Sequence, residues 1–433
     1  MENIQKKNYT LPIAMLFVLC FMLAFVTNLQ TPFADVVKGQ FHLSNFQSLL
    51  GNGANFIAYV IMGLPAGWLL QHIGYKKTAL SALAVGFIGV TITLFSGFLG
   101  SFAIYLTGAF ISGCSMCMLN ALINPMLNSL GADERKGNQL LLFGGVFNSS
   151  GATIAPVFAG ILVGQVVNPQ ISDVSPALYV TMVTFVATFI ALYFVDIPEP
   201  FSLKKRGETN EKKELYSPLS FRHFRFGMIA MFLYVGLEVG IQVIAYLYMT
   251  AGRSLTDGSV GMGMEKSIAG TIVGMYWFCM LLGRFFGGLI AKKFSSKSML
   301  ITVTIIGSVL VLLSMFVPIL WVKFPVIDST LSFRFHYVPL NVVFLVSCGL
   351  CTSVMWSSIF NLVLSGLGKF TGMASGFLML TVSGGGVLPA LQGFVADKVG
   401  YMASYWVIFA AFLYIMTYAF VGYKNVNKNI PIE

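Results

Sequence analysis

Apolar residues fall in long blocks broken by short polar turns. Each block is long enough for a helix of about 20 residues to cross a bilayer. A non-helical segment cannot sit in lipid, because its backbone groups would go unsatisfied, so helices are the elements predicted. The blocks lie at 11–33, 46–70, 77–97, 101–129, 138–164 and 176–196, then at 226–249, 267–291, 299–321, 338–365, 370–395 and 402–423. Between the sixth and seventh lies 197–225, polar, charged and proline-flanked, which reads as a solvated linker. The pattern predicts an all-α membrane protein of twelve transmembrane helices in two halves, 1–196 and 226–433, joined by 197–225.

The halves share a blurred repeat. Setting Cys114 on Cys351 puts Asn124 on Asn361 and Gly131 on Gly368. After a four-residue slip, Gly151, Pro156 and Gly160 fall on Gly384, Pro389 and Gly393. A helix pair repeated in this way implies two homologous bundles, a build known among transporters. A second repeat sets 63–77, GLPAGWLLQHIGYKK, against 283–297, GRFFGGLIAKKFSSK. Gly63 and Gly67 match Gly283 and Gly287, and small residues four apart let helices approach closely.

Composition agrees with the membrane reading. The chain of 433 residues is 57% hydrophobic and 10% charged, where soluble chains average about 25% charged. A net charge of +10 would suggest nucleic acid in a soluble protein, but here the charge sits in short loops. With the N-terminus in the cytoplasm, nineteen basic residues face inward and six outward, and Arg284 stays inside a span. That bias places both termini in the cytoplasm of a cell inner (plasma) membrane. The run from Leu11 is of full spanning length with no small-residue cleavage site, so it reads as an uncleaved first helix. Six cysteines all lie in apolar runs. The spacings Cys114/Cys117 and Cys348/Cys351 read as packing rather than zinc ligation, since nothing polar nearby supports a thiolate site.

Polar groups inside a span are costly, about 2.5–3.5 kcal/mol for an acid on insertion scales, and so point to function. Glu238 is the one acid deep in a span, with Tyr234, Gln242 and Tyr246 on its face. There it can carry a proton, hold a cation or accept from hydroxyls. Asn28 and Gln30 on the first span, Asn120 and Asn124 on the fourth, Asn148 on the fifth and Asn361 on the tenth offer donors and acceptors together, which suits a neutral polyol. Trp277 and Trp356 lie in mid-span, away from the interfacial belt, where a ring can stack on a sugar. Arg284 reads as an inner-gate residue rather than a substrate ligand. No hydrolase, nucleotide-binding or metal motif is present, so no enzyme, cofactor or metal is expected.

The turn after the second span resembles the loop G-x-L-x-D-x-x-G-x-[KR]-[KR] of the major facilitator superfamily. Gly67, Leu69, Gly74, Lys76 and Lys77 fit it as gating residues, while Gln71 replaces the aspartate. LSNFQ (43–47), Asn124-Pro125, FNSSGA (147–152), FLYVGLEVG (232–240), LLGRFFGG (281–288), IFNLVLSGLGKFT (359–371) and GGGVLPALQGFVAD (384–397) together resemble the fucose–galactose–glucose:proton symporter family within it, on the glucose/galactose side. The resemblance implies two pseudo-symmetric six-helix bundles, the major facilitator fold, with substrate held midway and proton-driven sugar uptake. The acids of the fucose permease pattern fall on Thr31 and Asn120 here, and its glutamine on Gly145. Coupling would therefore pass to Glu238.

The expected function is uptake of a hexose or deoxyhexose such as glucose, galactose or fucose by alternating access, driven by a co-transported proton. Sodium coupling or uncoupled facilitation are the alternatives. A drug exporter would need a greasier, acid-lined cavity, and a non-transporting sensor would need a soluble output domain. The expected partners are a small neutral sugar, the coupling ion and the lipid bilayer, with no nucleic acid and with the chain acting as a monomer.

Overall fold

The computed structural model describes residues 9–41, 45–131, 133–163, 171, 175–197, 216–252, 261–327, 332–427 and 429–431. The first half forms α1 (Thr10–Gln40), α2 (Asn45–His72), α3 (Tyr75–Leu99), α4 (Phe102–Ser129), α5 (Glu134–Val163) and α6 (Ser175–Phe194). The second half forms α7 (Arg222–Thr250), α8 (Lys266–Ile290), α9 (Ser296–Phe316), α10 (Leu340–Leu364), α11 (Thr371–Leu380), α12 (Gly384–Val399) and α13 (Tyr405–Thr417). Eleven spans are long and apolar enough to cross a membrane among the described residues, α11 and α12 sharing one of them. The twelfth helix, α5, carries Asn138, Gln139, Asn148 and Ser149 along its length. The chain is thus a membrane-spanning protein of two pseudo-symmetric six-helix bundles. Of the expected linker 197–225, residues 198–215 lie outside the described residues.

Equivalent glycines hold the two bundles together in equivalent ways. A Cβ at Gly151 on α5 would run into the Phe21 carbonyl of α1. A Cβ at Gly384, its repeat partner, would run into the Phe232 carbonyl of α7. The same backbone-to-backbone contact thus recurs in each half. Gly151→Val is expected to cost about 1–3 kcal/mol by overpacking, read as a lower melting temperature of the solubilised protein.

Two features depart from the expected elements. The span at 370–395 is not one helix. It breaks into α11 and α12 at a 3₁₀ turn, Thr381–Ser383. There Thr381 and Ser383 donate their hydroxyls to the Leu378 and Leu380 carbonyls at 2.6 and 2.7 Å, and three glycines follow. Such local bonds compete with the helical ladder. The loop before α10 holds an antiparallel hairpin, β1 (Trp321–Ile327) with β2 (Phe333–Pro339), an addition to the all-α expectation.

α1 begins and α13 finishes at one end, here termed basal. The halves meet along α2–α11 and α5–α8, with α10 also reaching α5. Cross-half hydrogen bonds among the described residues recur toward this basal end. Gln139 donates to the Gly288 carbonyl at 2.9 Å, Asn361 to the Glu134 carbonyl at 3.0 Å, and Ser375 to the Ala121 carbonyl at 2.6 Å. Gly63 and Gly67 of α2 press against Gly372 and Gly376 of α11. These contacts seal the basal half.

Candidate functional site

Above the seal, at mid-depth, lies a cavity of about 290 Å³, at the small end of the about 300–1,000 Å³ usual for ligand pockets. Both bundles line it. α1 supplies Thr27 and Asn28, α2 Tyr59, α4 Asn120 and Asn124, and α5 Gly145 and Asn148. From the second half come Tyr234, Glu238, Trp277, Arg284, Ser353, Trp356 and Ser357. The apolar remainder, Leu23, Leu127, Leu141, Val235 and Val382 among others, gives an uncharged wall.

The polar groups hold one another. Asn120 donates to the Tyr59 hydroxyl at 2.6 Å, and Asn124 to the Asn120 carbonyl at 2.9 Å. Trp356 crosses between the halves, its Nε1 donating to Asn124 Oδ1 at 3.3 Å, with Phe360 stacked behind its ring. Asn28 donates to the Ala24 carbonyl at 2.8 Å, and Asn148 to the Cys20 carbonyl at 3.4 Å. Asn28 and Asn120 are each fixed through the amide nitrogen alone, which leaves Oδ1 for a solute, whereas the Oδ1 atoms of Asn124 and Asn148 already accept from Trp356 and, at 3.5 Å, from Arg284.

Arg284 crosses the same divide. Its guanidinium donates to Ser149 Oγ at 2.7 Å and to the Gly145 carbonyl at 3.1 Å. A side chain at Gly145 would meet the arginine stem at 2.9 Å, so the glycine makes room for Arg284. Glu238 feels that positive charge without closing a salt bridge to it. The Tyr234 hydroxyl, on the same wall, is buried without a hydrogen-bond partner. An acid, a phenol and a guanidinium thus form a loosely tied trio on the cavity wall.

The structure brings Asn28, Asn120, Asn124, Asn148, Trp277, Trp356 and Glu238 together on the wall of this cavity. Three expectations change. Arg284, expected only at the inner gate, lines the cavity and ties the halves there. Asn361 is no cavity residue: it is buried at the basal end of α10, bonded to the Glu134 carbonyl and at 2.9 Å to Ser296 Oγ. Gln242 is also outside the lining, its amide turned back on the Glu238 carbonyl at 3.3 Å. The Gln30 side chain lies outside the described residues. Gly67 lies in the glycine seam, and Gly74 forms the α2–α3 turn at φ +85°, a conformation glycine adopts without strain. Lys76 pairs with Asp196 at 3.6 Å, while Lys77 is exposed. Sequence reasoning missed Tyr59, whose signal was its one-turn spacing from buried Asn55. It also missed Ser353 and Ser357, which look like ordinary helix serines.

Two bundles clasping a polar chamber at mid-depth define a membrane transporter architecture. Residues 16–390 match the family model described as Major Facilitator Superfamily, and the chain belongs to that family of transporters. It is 28% identical over 429 residues to the glucose/galactose transporter of Brucella abortus biovar 1 (strain 9-941), covering 98% of this chain and 97% of that one. It is 26% identical over 420 residues to the L-fucose-proton symporter of Escherichia coli (strain K12), covering 92% and 89%. A crystal structure of the E. coli fucose:proton symporter superposes with a TM-score of 0.78 at 22% identity, covering 96% of this chain and 99% of that one.

Proposed function

We propose that the protein takes up a neutral sugar of hexose size by alternating access, coupled to a proton carried at Glu238. The observation that carries this reading is the chamber itself, small, shared by both bundles and lined by four asparagines, two tryptophans and a single acid. Carboxamides satisfy sugar hydroxyls as donor and acceptor alike, and an indole face covers the sugar's C–H surface. The names of the relatives point the same way. The bundles 1–196 and 226–433 act as the rocking bodies about the linker 197–225. The basal end with both termini faces the cytoplasm of the inner membrane, and one chain suffices for transport. The basal seal then corresponds to a state closed to the cytoplasm.

Counterflow in proteoliposomes with labelled glucose, galactose and fucose tests the substrate class. Protection by none of them, with uptake of amphipathic drugs, would overturn it. Repeating the assay under a pH gradient and then a sodium gradient tests coupling. Thr31 and Asn120 stand where acids would be in the fucose permease pattern, which favours uncoupled facilitation as the second reading, and insensitivity to both gradients would select it. Asn124→Leu removes a solute ligand and the Trp356 anchor together. It is expected to raise the KM for sugar about tenfold, one lost hydrogen bond of about 1.4 kcal/mol.

A further inference from the structure

The β1–β2 hairpin has two unlike faces. Register places Val322, Phe324 and Val326 opposite Val338, His336 and Arg334 on one face. On it Val326 and Val338 are buried, in one cluster with Ala269 and Ile272 of α8 and Val342 of α10. That packing fixes the hairpin rigidly to the far end of the second bundle. The other face sets Trp321, Lys323 and Pro325 opposite Pro339, Tyr337 and Phe335, with Phe333 next to them. Here the aromatics are bare: Phe333, Phe335 and Tyr337 are 60–70% exposed, and Trp321 is 48% exposed. Among the described residues, Phe278 of α8 meets this face edge-on at Phe333, with ring centroids 6.1 Å apart, and the rest of the aromatic surface stays open; water is a poor neighbour for such a patch.

We propose that this face lies in the lipid headgroup layer and anchors the far end of the protein to the membrane interface. Its position argues for lipid rather than another protein. The outer stripe of α9, Ile305, Val309, Leu313 and Phe316, is exposed along its length and so faces the acyl chains. The stripe continues without a polar break through Ile319 and Leu320 into Trp321. The bare hairpin face is therefore the upper end of a surface already in lipid. Its composition changes at the depth where it should: aliphatic on α9, then tryptophan, tyrosine and phenylalanine with a lysine, the mixture that partitions to the interface. Lys323 Nζ sits 5.8 Å over the Tyr337 ring, where its charge can reach a lipid phosphate while its stem covers the aromatic. The anchor stands apart from the sugar site and from its mechanism.

The test uses the full chain reconstituted in phosphatidylcholine vesicles. Phe335→Trp adds a fluorophore to the bare face, and the emission of the five native tryptophans is subtracted using the parent protein. The added emission is expected to lose most of its intensity when the lipid carries bromines high on the acyl chain, and little on adding aqueous iodide. Strong quenching by iodide with none from bromolipid would place the hairpin in water and overturn the proposal. Protection from both quenchers would mean that a second copy or another protein covers the face, and would overturn it equally. Tyr337→Trp, on the same face two residues along β2, gives the same reading should the first variant fail to reconstitute.

Discussion

Glu238→Gln is expected to abolish concentrative sugar uptake while leaving sugar exchange within a few-fold of the parent. The substitution keeps the shape of the side chain and its place on α7, and takes away only the capacity to gain and lose a proton. Glu238 is the one acid among the residues that line the cavity. With one proton per sugar, each unit of pH gradient supports about a tenfold accumulation, since one unit corresponds to about 1.4 kcal/mol. The variant should therefore stop at equal concentrations inside and out, at any imposed gradient. Exchange needs no net proton movement, so counterflow survives. Arg284 gives the charge its setting: held by Ser149 and Gly145 across the divide, it stands near enough to act on Glu238. Equal loss of exchange and accumulation would assign Glu238 to the sugar instead. Accumulation that persists would move coupling to another group.

Glu238 was legible in the sequence for the same reason that it matters: a lone acid in an apolar run has to be held by something. The asparagine pair on α4 was legible by its one-turn spacing. What the pattern could not carry was depth and direction. Asn361 and Asn124 occupy equivalent places in the repeat, yet Asn124 meets Trp356 at the chamber and Asn361 reaches a backbone carbonyl at the basal turn. Burial cost is the same in both settings, so polarity alone cannot separate a ligand from a strut. The hairpin escapes the hydropathy pattern because its strands are seven residues each and carry Lys323 and Arg334 among their aromatics. Arg284 was placed too low because snorkelling to the nearer surface is the usual fate of an arginine near a span's end. Here Gly145 opened a slot toward the centre, and a glycine's missing side chain says nothing in sequence about who fills the space.

Gly376→Leu is expected to prop the basal end open and to lower transport by about one to two orders of magnitude. Gly67 was read from sequence as a small residue for close helix approach, and the structure supplies the helix it approaches. A Cβ at Gly376 would lie 2.6 Å from the Gly63 carbonyl oxygen and 2.8 Å from Gly67 Cα. A Cβ at Gly63 would in turn lie 2.9 Å from the Gly376 carbonyl oxygen. Backbone thus meets backbone in both directions, and no side chain is available to move aside. Where the family pattern puts an aspartate this chain has Gln71, so the seam closes by contact of small residues rather than by a charge lock. Overpacking such a contact costs about 1–3 kcal/mol, and that cost falls only on the state in which the seam is shut. A differential of this size shifts a two-state equilibrium about 5- to 150-fold. Spin labels at His72 and Lys369, both exposed at the basal end, should then report a longer separation in the variant than in the parent. Gly393→Leu, where a Cβ meets nothing within 4 Å, should change neither distance nor transport. Lost transport with an unchanged label distance would make the seam a requirement for folding and not a gate, because a gate that is jammed must be seen standing open.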